Sequence, residues 1–188
     1  MISNIEIAEH LLEIEFFIPE IIIAMGGGSV IDLAKLIIYH NYLNNKNNLK
    51  FIVIPTTCGS GSESTSFAVV YENGIKNSIQ SNLISPDKIV HDPSLLKFLP
   101  KKALWSSISD SFCQSIESLW SKNSNKISKG HALKSLKLIV KAIENTEKPN
   151  LKKLLIASFH SGCAINISKT TGPHSFSYFL SYKYSIPH

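Results

Sequence analysis

Asp110 and Gln114 stand one helical turn apart, and well downstream two histidines each follow a proline, His174 in Gly172-Pro173-His174 and His188 in Ile186-Pro187-His188, flanking Ser- and Tyr-rich turns. A carboxylate oxygen with two imidazoles is a common ligand set for a catalytic divalent ion, zinc or iron, with one position left open for a substrate oxygen. The same residues fit equally well as a solvated helix face, extended by Glu117 at i+7, and two surface histidines. Upstream, Gly26, Gly27, Gly28 and Ser29 end an apolar run and open a helical pattern. Backbone amides there can close on a phosphate, helped by the helix dipole; a ligand-free tight turn is the alternative. The run Thr56-Thr57-Cys58-Gly59-Ser60-Gly61-Ser62-Glu63 offers a second set of amides and hydroxyls. Neither loop has the Gly-Lys-Ser/Thr ending of a P-loop or the pattern of a nucleophile elbow.

These residues need a scaffold, and the pattern supplies one. The apolar run from Pro19 to Met25 reads as a parallel strand buried on both faces. A helix follows to about Tyr42, with Ser29 as N-cap, Asp32 three residues on, and Ile31, Ala34, Ile37 and Ile38 on one stripe. Phe51 to Ile54 is a second buried strand closed by Pro55. Strand, helix, strand is a doubly wound element, with ligands outside the carboxyl ends of the strands. Further strands are expected at 67–71 and 88–90, with a turn at Asn73-Gly74. After Pro100 the character is helical: Ile108, Phe112, Ile116 and Leu119 form one stripe, and Leu133, Leu136, Val140 and Ile143 another. A third helix is expected over roughly 151–168. The expected fold class is α/β, a partial Rossmann-like parallel-sheet domain over 1–103 followed by an all-α metal-binding domain over 104–188.

The bulk numbers narrow the classes. The 188 residues are 44% apolar, enough for a real core. The net charge of +5 is spread along the chain without a basic run, so nucleic acid is not an expected partner. Three scattered cysteines form neither a disulfide framework nor a zinc knuckle. No apolar run approaches membrane-spanning length and the N-terminal segment is acidic, which points to a cytoplasmic chain with no membrane partner.

Four motifs, in order, resemble the iron-containing (group III) alcohol dehydrogenases. Gly26-Gly-Gly-Ser-Val-Ile-Asp-Leu-Ala-Lys35 is similar to that family's pyrophosphate motif, and Pro55-Thr-Thr-Cys-Gly-Ser-Gly-Ser-Glu63 to its second cofactor loop. Ser85-Pro-Asp-Lys-Ile-Val-His-Asp-Pro93 resembles the exit from its first domain, and Asp110-Ser-Phe-Cys-Gln-Ser-Ile-Glu117 its Asp-Ala-x-x-His-Ala-x-Glu. The resemblance implies a dehydroquinate synthase-like architecture, incomplete here. It makes metal ligands of Asp110, Gln114 (where the family usually has His), His174 and His188. It makes cofactor contacts of Gly26, Gly27, Gly28, Ser29, Asp32, Thr56, Thr57, Ser60, Gly61 and Ser62. Within the family, Gln at position 114 with its flanking residues is most similar to phosphonoacetaldehyde reductases, with Lys76, Lys169 or Lys183 as candidates to meet a phosphonate.

The implied function is metal-dependent, NAD- or NADP-linked reduction of a short aldehyde to the alcohol, with iron or zinc as the metal. The resemblance covers nearly all of this chain but only about half of a usual two-domain member. Absent segments at both ends would leave a sheet edge and an apolar helix face exposed, compatible with a homo-oligomer or a partner chain. Two rival expectations are a non-catalytic fragment that binds nucleotide weakly, and a lyase that recycles its cofactor.

Overall fold

A computed structural model describes residues 19–45, 49–72 and 75–184. The chain enters through β1 (Ile21–Gly26), turns at the glycines into α1 (Gly28–Asn45), and returns through β2 (Lys50–Pro55). β1 and β2 are parallel and paired from Ile21 with Lys50 to Gly26 with Pro55. A hairpin of β3 (Phe67–Glu72) and β4 (Ile75–Gln80) follows, and β5 (Lys88–Ile89) then joins the free side of β2 in parallel. The Asn73-Gly74 turn lies outside the described residues. Helices α2 (Lys101–Trp120), α3 (Lys126–Ala142), α4 (Leu151–Ser168) and α5 (Gly172–Tyr184) complete the chain.

The expected α/β class, parallel sheet first and helices after, is what the structure has. Two apolar clusters hold it together. Ala24, Ile31, Leu36, Phe51, Val53 and Ala68 gather between sheet and α1, and Cys58, Leu96, Ile108, Ile139, Leu154 and Leu155 among the helices. Each buried Leu, Ile or Phe there contributes about 1.5–3 kcal/mol through removal from water. No helix of the described residues is long and apolar enough to cross a membrane.

Four local expectations need correction. β1 is not buried on both faces: Ile21, Ile23 and Met25 are exposed, because among the described residues α1 covers one face of the strand and these three side chains lie on the other. Ser29 is not the N-cap of α1; the amides of Val30 and Ile31 both reach the Gly27 carbonyl, so the helix starts at Gly28 and Ser29 is inside it. The apolar stripes on α2 and α3 are rotated. Phe112 of α2, and Leu133 and Val140 of α3, are exposed, while Ser111, Ser115, Ser118, Ala132 and Ser135 are buried. Serine is small enough for helices to approach closely, and its hydroxyl can bond a carbonyl of its own helix, as Ser115 does to Ser111 at 2.8 Å. Finally, the segment around His174 is a helix rather than a turn; Pro173 sits in its first turn, where its missing N–H costs nothing.

Candidate functional site

The first loop of the site is built by β1 and α1. A Cβ on Gly28 would lie 2.8 Å from the Ser60 Cβ, and one on Gly27 would lie 3.2 Å from the Thr57 methyl, so the two glycine-rich loops touch at the sheet edge. The Thr56 amide donates to the Gly26 carbonyl at 3.0 Å. Gly26, Gly27, Gly28, Ser29, Thr56, Thr57, Ser60, Gly61 and Ser62 are thereby brought together. Asp32 faces the same group from one turn into α1. Its carboxylate accepts from the Ser62 hydroxyl and, at 3.1 Å, from the Val69 amide.

Lys35, one turn further, has no exposure and was not singled out as a site residue. Its ammonium donates to the carbonyls of Ser62 (2.6 Å), Thr65 (2.9 Å) and Phe67 (2.9 Å), and meets the Thr65 hydroxyl at 2.8 Å. Burial pushes its pKa down to about 8, against the pull of Asp32 and Glu63. Lys35 therefore fixes the course of the chain after the second loop onto α1.

Glu63 is also buried, with its Oε1 unpartnered among the described residues. Burial raises its pKa to about 7, although a backbone hydrogen bond, Lys35 and Ser158 act the other way. The folded state thus holds a proton that the unfolded chain releases near the ordinary carboxylate value, and stability falls as pH rises from about 4.5 through 7. Glu63→Gln is expected to be more stable than the parent by about 3 kcal/mol at pH 8, with the gain gone at pH 4.5. Urea denaturation of both proteins across this range checks it, and a gain that does not vary with pH contradicts it. Comparison at each pH cancels the opposite trend from His160, whose ring is held down to about pH 4 chiefly by burial.

The second part of the site is made by α2 and α5. Asp110, Gln114 and Glu117 lie on the inner side of α2, and His174 on the first turn of α5. His174 is buried between two acids: its Nδ1 bonds Glu117, and its Nε2 lies 3.2 Å from the Asp110 Oδ1. Burial alone would lower the pKa of His174, but hydrogen bonds and charge from Asp110 and Glu117 raise it. Burial opposes the charge of Glu117, yet the bonds from His174 and Thr171 keep its pKa below the ordinary value. Glu117 also accepts from the Thr171 amide at 2.6 Å and hydroxyl at 2.8 Å, so it fixes both the α4–α5 turn and the imidazole.

In the sequence Glu117 stands only as the end of a polar stripe, and its position three residues after Gln114 is the signal that it shares the inner face. Gln114 is buried and turns its Nε2 to the Asp110 carboxylate (3.0 Å) and the Ser60 carbonyl (3.2 Å), with its Oε1 at the Ser161 hydroxyl (3.0 Å). His188 lies outside the described residues. Among those residues, no group of three or more His, Cys, Asp and Glu side chains is arranged to hold a metal ion.

The chemistry of the pair nonetheless suits a divalent ion. Once deprotonated at Nε2, with its Nδ1–H given to Glu117, the His174 ring would offer its Nε2 lone pair to an ion beside Asp110, the carboxylate–histidine pattern found behind metal ligands. Asp110, Glu117 and His174 line a cleft of ≈ 510 Å³ together with Lys102, Trp105 and Cys113. Of the lysines considered for a phosphonate, Lys169 is engaged with Gln80 and the Phe67 ring, and Lys183 lies over Tyr184. Neither lines this cleft.

Residues 4–93 match the family model of iron-containing alcohol dehydrogenase. The chain is 30% identical over 186 residues to a 4-hydroxybutyrate dehydrogenase of Clostridium kluyveri, covering 89% of this chain and 50% of the relative. It is 30% identical over 147 residues to a phosphonoacetaldehyde reductase of Streptomyces viridochromogenes, covering 74% of this chain and 37% of that one. A solved sulfoacetaldehyde reductase from Bifidobacterium kashiwanohense, in complex with NAD+, superposes with a TM-score of 0.82 at 30% identity, over 98% of this chain and 54% of that one. The chain spans about half the length of the curated relatives it matches. In sequence and in fold, the chain belongs to the iron-containing alcohol dehydrogenase family.

Proposed function

We propose that this chain carries the cofactor loops and part of the metal site of an NAD(P)H-linked oxidoreductase that reduces a short aldehyde to the alcohol. Residues 1–103 would form the nucleotide-binding part and 104–188 the metal-binding part. The observation that carries the proposal is His174 fixed by Glu117 with its Nε2 turned to Asp110, in a cleft on the helices that pack against the second glycine-rich loop. When bound, a divalent ion would polarise the substrate oxygen as a Lewis acid and the nicotinamide would supply hydride.

The protein's own residues would bind and orient. Asp110 and His174 are two proposed metal ligands, with His188 as a third. Gly26 to Ser29 would take the pyrophosphate at the N-terminus of α1, and Thr56, Thr57 and Ser60 to Ser62 would line the groove beside it. Asp32 would hold the second loop in place through Ser62 and Val69. Names of relatives support anionic short aldehydes as substrates: phosphonoacetaldehyde, sulfoacetaldehyde and the aldehyde matching 4-hydroxybutyrate each join a carbonyl to an acid group.

The test is oxidation of NADH and NADPH by the purified chain with phosphonoacetaldehyde and short uncharged aldehydes, with iron or zinc present and then with chelator. Metal-dependent turnover is expected, falling at least about 100-fold in Asp110→Ala and His174→Ala. Turnover that survives both substitutions would overturn the site. Nucleotide binding by folded protein without turnover under any metal would favour the non-catalytic reading.

A further inference from the structure

We infer that Gln114 is not a metal ligand in this protein but a latch, a positioning residue that ties the second cofactor loop to Asp110. The inference rests on the proposed metal and cofactor sites and concerns what one residue does between them. A glutamine can bind a hard or borderline cation only through its carbonyl oxygen, and in this structure that oxygen faces away from Asp110. The orientation follows from the partners. On one side of the amide stand two acceptors, the Ser60 carbonyl at 3.2 Å and the Asp110 carboxylate at 3.0 Å, and the two hydrogens of Nε2 satisfy both. On the other side stands the Ser161 hydroxyl at 3.0 Å, which also faces the Ser158 carbonyl at 2.8 Å and can serve an amide of either orientation.

Rotating the amide to bring its oxygen toward a metal at Asp110 would set that oxygen against the Ser60 carbonyl. Two acceptors would then meet in a buried place with no hydrogen between them, while Ser60 and Asp110 both lost a donor. The geometry therefore favours the amide as it stands. It also gives Gln114 a job, because Ser60 belongs to the loop that touches Gly28 and Asp110 belongs to the cleft. One side chain joins the two through its amide nitrogen, and the hydroxyl of α4 holds its other end.

The test uses two readouts on the 188-residue chain, neither of which needs turnover. Cobalt(II) is the metal probe, read by its visible absorption, and NADH is the cofactor probe, read by fluorescence titration. Gln114→Met, which keeps the length of the side chain, is expected to leave cobalt affinity within about three-fold and its absorption bands in place, while weakening NADH about ten-fold. Ser161→Ala, which removes only the support of Oε1, should weaken NADH by a smaller factor with cobalt unchanged. Gln114→His is expected to shift the cobalt bands, because an imidazole nitrogen has no carbonyl dipole to protect and can enter the metal's ligand set.

A cobalt spectrum altered in Gln114→Met, or affinity lost more than about 30-fold, would show Gln114 to be a ligand and overturn the inference. Unchanged NADH affinity in that variant would overturn the latch. Failure of the underlying metal site looks different: Asp110→Ala would then bind cobalt as well as the parent, or the parent would bind none, and the NADH arm would still decide the latch.

Discussion

Replacing Gly162 with alanine is expected to destabilise the protein by about 3 kcal/mol or more and to loosen the Gly61 loop. Gly162 lies in α4 where the second glycine-rich loop crosses it. A Cβ there would fall onto the carbonyl oxygen of Gly61 and the hydroxyl of Ser64. The crossing is close from the other side as well, since a Cβ on Gly61 would sit 2.6 Å from the Gly162 Cα. Gly61 has φ 62 and ψ 13, the left-handed region, so its backbone has little room to adjust. Most of the colliding atoms are main chain, and no rotamer change can relieve them. Gly130 in α3 is the control: nothing lies within 4 Å of its Cβ position, and Gly130→Ala should stabilise by about 0.5–1 kcal/mol. Urea midpoints of the two variants should move in opposite directions. An unchanged midpoint for Gly162→Ala would mean that loop and helix are not in contact as described.

Lys35→Met should cost about 4 kcal/mol, although methionine fills nearly the same volume. The reason is the set of acceptors left behind. Lys35 is the common donor to three carbonyls spread over residues 62–67, and no water reaches it. Without the ammonium, each buried carbonyl loses a charged partner, at about 1–3 kcal/mol apiece before the chain relaxes. Relaxation would let the loop leave α1, so NADH binding should weaken together with stability. The check is denaturation and NADH titration of the same variant. A loss below 1 kcal/mol with normal NADH affinity would contradict the role given to Lys35.

Much of the first half was legible because its signals are local. Pro19 to Met25 followed by glycines can end a strand and begin a helix, and the parallel return through Phe51 to Ile54 follows from connection rules. The third helical segment, Leu151–Ser168, was equally plain: Pro149 stands just before it, and the Asn150 side chain caps the Lys153 amide at 3.0 Å. The buried faces of α2 and α3 were not legible. Periodicity looks for apolar residues, whereas these faces also bury serines that bond carbonyls of their own helix, and Gln114 and Glu117, whose partners come from other segments. The Ser168 hydroxyl also donates to the Ser118 hydroxyl at 2.8 Å, across positions far apart in sequence.

The candidate site divides in the same way. The glycine loops, Asp110 and His174 could be picked out by residue type and motif. The orientation of the Gln114 amide, the Lys35 anchor and the hold of Glu117 on His174 depend on which helices meet. The start of α5 is a different case, because Pro173 just inside the helix is a local start signal, while the Ser- and Tyr-rich residues after it read equally as a turn.

The role proposed for this chain's two loops and its Asp110–His174 cleft is hydride transfer between a nicotinamide and a short aldehyde. Its most direct test is to supply NADH deuterated at the transferring position, phosphonoacetaldehyde and one equivalent of divalent metal, and to read the alcohol by mass spectrometry. One deuterium on the carbinol carbon, absent after chelation and in Asp110→Ala, is the result expected. Alcohol whose new carbon-bound hydrogen comes from solvent, or label transfer unaffected by chelator and by the loss of Asp110, would contradict the claim.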